Sequence, residues 1–596
     1  MLAGLLKWGL LRSSPDYGGR TGPLPALRTE HRDLAERRTG APVERCLTGD
    51  SRPAFAPASC STCGAPAFHR GTLLLRSLLA AAIVIAVAAP LACAQETRLP
   101  DIGSSAGELI TPAQEDAYGA MTLAQLRHFD YVLEDPLIDS WLDTLGHRLA
   151  GASDDTKRHY TFFMLRDRQI NAFATLGGYV AMNSGLVLAA DREDEVAGVL
   201  AHEISHITQQ HVLRSVERQK QDQIPTLLAL LGAIVVAQQA HGNTGADAAS
   251  AAMSAAMGLA AQRQINFTRA NETEADRVGM QLLARSHFDP RAMADFFAKL
   301  QSRMRTNEAS AFGDEEPDYL RSHPMTLARI TEARDRAERL RTQPNYSGTF
   351  ATDNPMLPAG LRLEAGTGAG PTGLFDYARE RLRVMSALTP AAAIQEYTAI
   401  KSSRALTDAE QYGLAVAFTL AGQPKSALPL LTAVVARKPA DVWPQLALGE
   451  VEAASGNGAA ADARFEALLR KTPASRAVVL TYAKVLGERS SPAAGKRAQA
   501  ILRPLMSSLS EDPVFQRTFA RASEIADDPV RAGEAHAEAA YLSGRPELAL
   551  VQLNTLKKRP DLDYYSRTRI ESRIAAITPT VLELHRQGIH DEDLKR

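Results

Sequence analysis

Leu200–His211 reads LAHEISHITQQH, and two histidines and a glutamate in it decide how the rest of the chain is understood. From Glu195 to Thr208, apolar or small residues fall at Val196, Val199, Leu200, Ile204 and Ile207, close to a 3.6-residue period. That spacing predicts a helix. Positions i and i+4 share a helix face, so His202 and His206 can point two imidazoles at one ion. Glu203 lies about 100° round the same helix and can act beside that ion. Two neutral imidazoles suit zinc, and a carboxylate next to the metal suits a general base. H-E-x-x-H on a helix is the zinc-peptidase pattern. The plain alternative is a solvated helix face that carries these residues by chance.

A hydrolytic zinc site needs a third protein ligand and groups that orient the ligands. TRANETEADRVG, from Thr268 to Gly279, offers both. Glu272 and Asp276 are again i and i+4 on an expected helix. Glu272 completes a His, His, Glu set and leaves one position open. Asp276 can accept a hydrogen bond from a ligand histidine's other ring nitrogen. Glu274 competes for the third place, but it points about 200° away from Glu272 and has no partner placed like Asp276.

His202-Glu203-x-x-His206 with Asn271-Glu272-x-x-Ala275-Asp276 resembles the gluzincin branch of zinc peptidases. Further stretches extend the likeness: LPDIGSSAG from Leu99, INAFATLGG from Ile170, FTRANETEADRVG, and SHPMTLARI from Ser322. Together they are similar to the periplasmic β-barrel assembly-enhancing proteases of Gram-negative bacteria. The match runs from about Leu99 to the C-terminus and is most specific up to about Arg336.

That resemblance implies a mainly α chain. A zincin-like α+β metallopeptidase domain with a small β-sheet is followed by an all-α tetratricopeptide solenoid. It implies one zinc per chain, Glu272 as third ligand and Asp276 as its supporting acid. Asn171-Ala172-Phe173 resembles the edge strand on which gluzincins bind substrate, so Asn171 and Ala172 are candidate substrate contacts. The family's His-Pro loop maps to His323, whose ring can take the open metal position and hold the enzyme off. His323 could instead donate to an oxyanion. Arg329 is a second candidate donor, or a salt-bridging helix residue. The expected chemistry is peptide hydrolysis with Glu203 as general base and His323 as the second catalytic candidate. Expected substrates are unfolded or misassembled outer-membrane proteins. The barrel-assembly machinery would bind the repeats, with peripheral contact to the outer membrane. The competing class is a periplasmic chaperone or adaptor with a mostly latent protease site. A purely structural zinc is the poorest fit, because such sites favour cysteine and have no use for Glu203.

Composition bears on compartment. Cys46, Cys60, Cys63 and Cys93 all lie near the N-terminus of the 596-residue chain. Leu78 to Ala89 is an apolar run of 12, preceded by Arg70 and Arg76 and followed by Ala92-Cys93-Ala94. This reads as a signal peptide cleaved after Ala94, too short for a comfortable membrane span. Cleavage removes every cysteine and leaves a net charge of −6, which argues against nucleic acid. The Arg- and Pro-rich residues 1 to 69 precede that signal, so they are expected to be untranslated or a disordered extension.

The organisation expected downstream is a signal at 70–94, a peptidase domain at 95–345, a linker at 346–372 and repeats at 373–590. Two helices should break near Asp135-Pro136. YTFFMLRD, INAFAT and YVAMNSG look like strands, with Gly177-Gly178 turning a hairpin between the last two. Leu227–Ala237 and the Ala- and Met-rich Ala251–Ala261 are each too short to span a bilayer and could form a helical hairpin. Gly422 and Gly456 are 34 residues apart, as are Pro439 and Pro473. That period marks tetratricopeptide repeats, with four or so helix pairs and degenerate copies near Ser490 and Ala526.

Overall fold

The computed structural model describes residues 110–155, 157–219, 243–308, 318–342, 370–586, 588–591 and 594, with side chains left out at 243–260, 304–308 and 318. The expected signal peptide, the cysteines, Leu227–Ala237 and the expected linker up to 369 lie outside these residues.

Local sequence sets the element boundaries before the sheet. Helix α1, Pro112–His128, starts in a capping box between Thr111 and Gln114. Helix α2, Pro136–Gly151, starts where Asp135 accepts from the Leu137 and Ile138 amides, with Pro136 in the first turn. The expected break at Asp135-Pro136 is therefore a helix start.

Three strands follow: β1 Thr161–Leu165, β2 Ala172–Ala174 and β3 Tyr179–Asn183. Their order is β1-β3-β2, with β3 parallel to β1 and antiparallel to β2. The β2–β3 connection is the expected hairpin. Gly177 and Gly178 turn it at φ 76° and 87°, and a Cβ on Gly178 would lie 2.0 Å from the His159 carbonyl oxygen. The strands are shorter than the apolar runs implied. A six-residue helix, α3 Ser184–Ala189, separates the hairpin from α4, Glu193–Thr208.

Helix α4 is the centre of the peptidase region. Its histidines and glutamate are not on a solvated face: His202 is 0% and Glu203 1% exposed. The apolar face of α2, with Ile138, Trp141, Leu142 and Leu145, is buried in the same cluster as Val196, Leu200 and Ile204 of α4. After α4 the chain turns through Gln210 at φ 52° into α5, over 211–219. Helix α6, Asn243–Arg285, crosses α4 so closely that a Cβ on Gly279 would lie 3.1 Å from the His202 amide nitrogen. That approach brings Glu272 and Asp276 to the α4 histidines. Helices α7 Arg291–Glu308, α8 Asp318–Ser322 and α9 Leu327–Arg341 complete this part.

Twelve further helices run from α10, Phe375–Met385, to α21, Tyr564–Arg586. The 34-residue period extends to Ser490, which holds the left-handed conformation of Gly422 and Gly456 at φ 51°. Asp527 does the same at φ 63°. The copies that look degenerate in sequence thus keep the turn and lose only its glycine.

One hydrophobic cluster runs from Leu133 through the α4 residues to Ala535, so peptidase and repeat helices share a core. Polar contacts reinforce it. Arg381 of α10 grips Asp135 through two bonds of 2.7 and 2.6 Å. Glu193, at the start of α4, accepts from Trp141 Nε1 at 2.5 Å and from the Thr372 amide and hydroxyl. No helix among the described residues is long and apolar enough to cross a membrane.

Candidate metal centre

Helix α4 turns His202 and His206 inward one turn apart, and their Nε2 atoms lie 3.0 Å from each other. Glu272, on α6, places its carboxylate oxygens 3.4 Å from His202 Nε2 and 3.5 Å from His206 Nε2. His323 follows α8, where its amide bonds the Tyr319 carbonyl, and its Nδ1 lies 3.0 Å from Glu272 and 3.4 Å from His202 Nε2. These four side chains could hold a metal ion. Donors about 2.0–2.1 Å from a tetrahedral zinc sit roughly 3.3 Å from one another, which the spacings match. Lone pairs converging this closely need a cation or shared protons between them. The donor set fits zinc.

Glu203 stands beside the cluster. Its Oε1 is buried without a hydrogen-bond partner and lies 3.6 Å from His323 Nε2. Burial raises its carboxyl above the usual range, against the pull of His323 and His202. Tyr319, its ring tilted against that of His323 with centres 4.8 Å apart, is fully buried with its phenol unpartnered. Nothing in the spacing of the sequence pointed to it.

The supporting contacts surround the donors. Asp276 Oδ1 lies 3.0 Å from His202 Nδ1, at ion-pair distance but off the line of a well-directed hydrogen bond. Arg329 holds Asp276 by two bonds of 2.8 Å and lies 2.9 Å from Glu272. It is the salt-bridging helix residue of the two expected alternatives, and it is buried between the two acids. Glu274 has Val278, not an acid, four residues on, and finds other partners. It meets His211 Nε2 at 3.2 Å and Arg214 at 2.9 Å, and these hold its carboxyl down to about 2. Sequence spacing missed His211. Position i+5 from His206 leaves the ligand face of a continuous helix, and only the left-handed turn at Gln210 brings it back.

Charge in the cluster gives a pH dependence. Burial lowers the His202 pKa, but Asp276 and Glu272 outweigh it and raise it to about 10. Burial and the neighbouring His202 and His323 hold His206 well below its ordinary value. Burial raises Glu272, but His323 and His202 hold it well below the carboxylate range. At neutral pH zinc therefore displaces one proton, from His202. Zinc affinity should rise with pH, about tenfold per unit around neutrality. Chelator competition at three pH values measures the slope, and a flat profile would contradict it.

At the edge strand, Asn171 and Ala172 differ. The Asn171 carbonyl accepts from the Asn183 amide at 2.9 Å, so its main chain faces β3. Antiparallel alternation then turns the main chain of Ala172 and Ala174 outward. The Ala174 amide faces Glu203. Ala172 as a whole is fully buried, so its outward main chain is covered in this conformation.

The sequence profile of Peptidase family M48 matches residues 136–337, and that of the tetratricopeptide repeat matches residues 418–485. A beta-barrel assembly-enhancing protease of Yersinia pestis is 32% identical over 478 residues, 80% of this chain and 90% of that protein. The chain belongs to the beta-barrel assembly-enhancing protease family. The Escherichia coli K12 member is 37% identical over 267 residues, 45% of this chain and 53% of its own. Metalloprotease LoiP of the same organism is 26% identical over 197 residues, 33% of this chain and 69% of its own. As a member of the family, the chain is a zinc metalloendopeptidase with a C-terminal repeat region. The expected fold class and cofactor hold.

Proposed function

We propose that the chain is a periplasmic zinc endopeptidase held latent by His323, acting on unfolded or misassembled outer-membrane proteins. His202, His206 and Glu272 are the residues that hold zinc. Bound there, zinc supplies a Lewis acid and lowers the pKa of water. Asp276, braced by Arg329, orients His202. Glu203 takes the proton from the attacking water and passes it to the leaving amine. The substrate lies along β2 as an added strand, using the outward main chain of Ala172 once it is uncovered, while Asn171 contributes through its side chain.

The observation that carries latency is the place of His323. Its Nδ1 sits in the donor cluster, within 3.4 Å of both Glu272 and His202. A fourth protein donor there occupies the position that water and substrate need. His323→Ala is therefore expected to raise cleavage of an unfolded casein-like substrate. Loss of cleavage instead would support the oxyanion-donor role.

The remaining assignments follow the same proposal. Residues 95–345 form the peptidase, 346–372 a linker and 373–590 the repeats. A signal at 70–94 is cleaved after Ala94. The relatives' names and the repeats support outer-membrane β-barrel substrates and the barrel-assembly machinery as partner. The closed position of His323 also favours a second role, as a chaperone or adaptor in assembly that cleaves only when opened.

A further inference from the structure

His211 is 3% exposed, lies outside the donor cluster and has no part in the chemistry proposed above. Its Nδ1 is 2.9 Å from Nδ1 of His206, with the rings edge to face at 80°. Its Nε2 is 3.2 Å from Glu274 Oε2, and Arg214 Nη1 is 2.9 Å from that same oxygen. A nitrogen–nitrogen approach this short is a hydrogen bond, not ring packing.

We propose that His211, backed by Glu274 and Arg214, is a positioning residue that fixes the His206 ring for zinc. The inference rests on the assignment of His206 as a ligand through Nε2. That nitrogen must keep its lone pair for the metal, so the His206 proton sits on Nδ1. It is donated to His211 Nδ1. His211 then carries its own proton on Nε2 and donates it to Glu274. Each bond dictates the direction of the next, so one tautomer of His206 is selected along with one ring plane.

The other ligand ring is held by a parallel device. His202 Nδ1 faces Asp276, and Arg329 grips that acid. Three alternate residues of α6 thus divide the work. Glu272 enters the donor cluster, Asp276 backs His202 directly, and Glu274 backs His206 through His211. The extra imidazole spans the gap that Glu274 leaves by lying farther round the helix.

The test is zinc affinity of the full chain by chelator competition, in a Glu203→Gln background so that self-cleavage cannot intervene. His211→Ala and Glu274→Ala are each expected to weaken zinc about 10- to 100-fold. The double variant should be hardly worse than His211→Ala alone, because both break one chain. His211→Asn, whose amide can accept at one end and donate at the other, should recover part of the loss. Glu274 lies partly at the surface, so Glu274→Ala keeps the test open if His211→Ala fails to fold. A merely structural role would lower the unfolding temperature of the metal-free protein and leave zinc affinity within about twofold of the parent, overturning the proposal. His206→Ala separates the two levels. If it leaves zinc affinity unchanged, the ligand assignment itself fails. If it abolishes binding while His211→Ala and Glu274→Ala do not weaken it, the positioning role alone fails.

Discussion

Glu203→Gln is expected to lower kcat/KM about 10²- to 10⁴-fold, the range that a general base supplies, while zinc content stays at the parental level. The substitution keeps size and removes only the ability to take a proton. Metal should stay because the donor cluster is made by His202, His206, Glu272 and His323, and Glu203 stands beside it. Burial raises its carboxyl, which moves it toward the pH at which a base works best. The sign follows: a base must be ionised, so activity of the parent should fall as pH drops through that raised value. The measurement is best made with His323→Ala as parent, where turnover is highest. Retention of more than about a tenth of the activity would remove Glu203 from the role of base, and loss of zinc would mean that it is a ligand. The same variant separates the two biological roles. If binding dominates, Glu203→Gln should restore outer-membrane integrity to a strain lacking the protein, whereas a strictly proteolytic role predicts no rescue.

Arg381→Ala should be the most damaging change far from the site, lowering stability by about 3–5 kcal/mol. Arg381 and Asp135 are 8% and 3% exposed and joined by two bonds, with Tyr412 as a second partner of the arginine. Removing the arginine strands a carboxylate in the shared core of the peptidase and repeat helices. Asp135→Asn with Arg381→Met should recover most of the loss, because asparagine still caps α2 and methionine fills the stem's volume. Burial raises the Asp135 carboxyl, but Arg381 and the helix amides hold it below its ordinary value. The pair's contribution is therefore present above the unfolded value of about 4 and is lost as pH falls through the depressed folded one. In Arg381→Ala, only the helix amides oppose burial, so that carboxyl rises and the variant's deficit should shrink toward acid pH. Thermal unfolding at two pH values reads both effects. A deficit that does not depend on pH would show that lost packing, not the stranded charge, is responsible.

Much of this molecule was legible in its sequence because helical spacing is a local property. His202 with His206, and Glu272 with Asp276, are each four residues apart, so any helix at all puts each pair on one face. The zinc peptidase signature needed nothing more. The period between Gly422 and Gly456 worked in the same way. Its glycine marker is missing at Ser490 and Asp527, where other residues adopt the same turn.

What the chain alone determined, then, is the residues that face together within one helix and the chemistry of those side chains. Tertiary structure decided which faces meet. The close crossing of α4 and α6 at Gly279 brought Glu272 to the histidines. The α8 turn swung His323 into the donor cluster, and it was packing that buried Arg329 as a partner of Glu272 and Asp276. The fate of Glu274 was decided the same way. On a bare helix it points away from Glu272 with nothing to hold. It has a role only because a left-handed residue at Gln210 turns the chain and His211 comes to lie between it and His206. Contacts between residues about 50 to 120 positions apart depend on how helices cross, and no local period encodes a crossing.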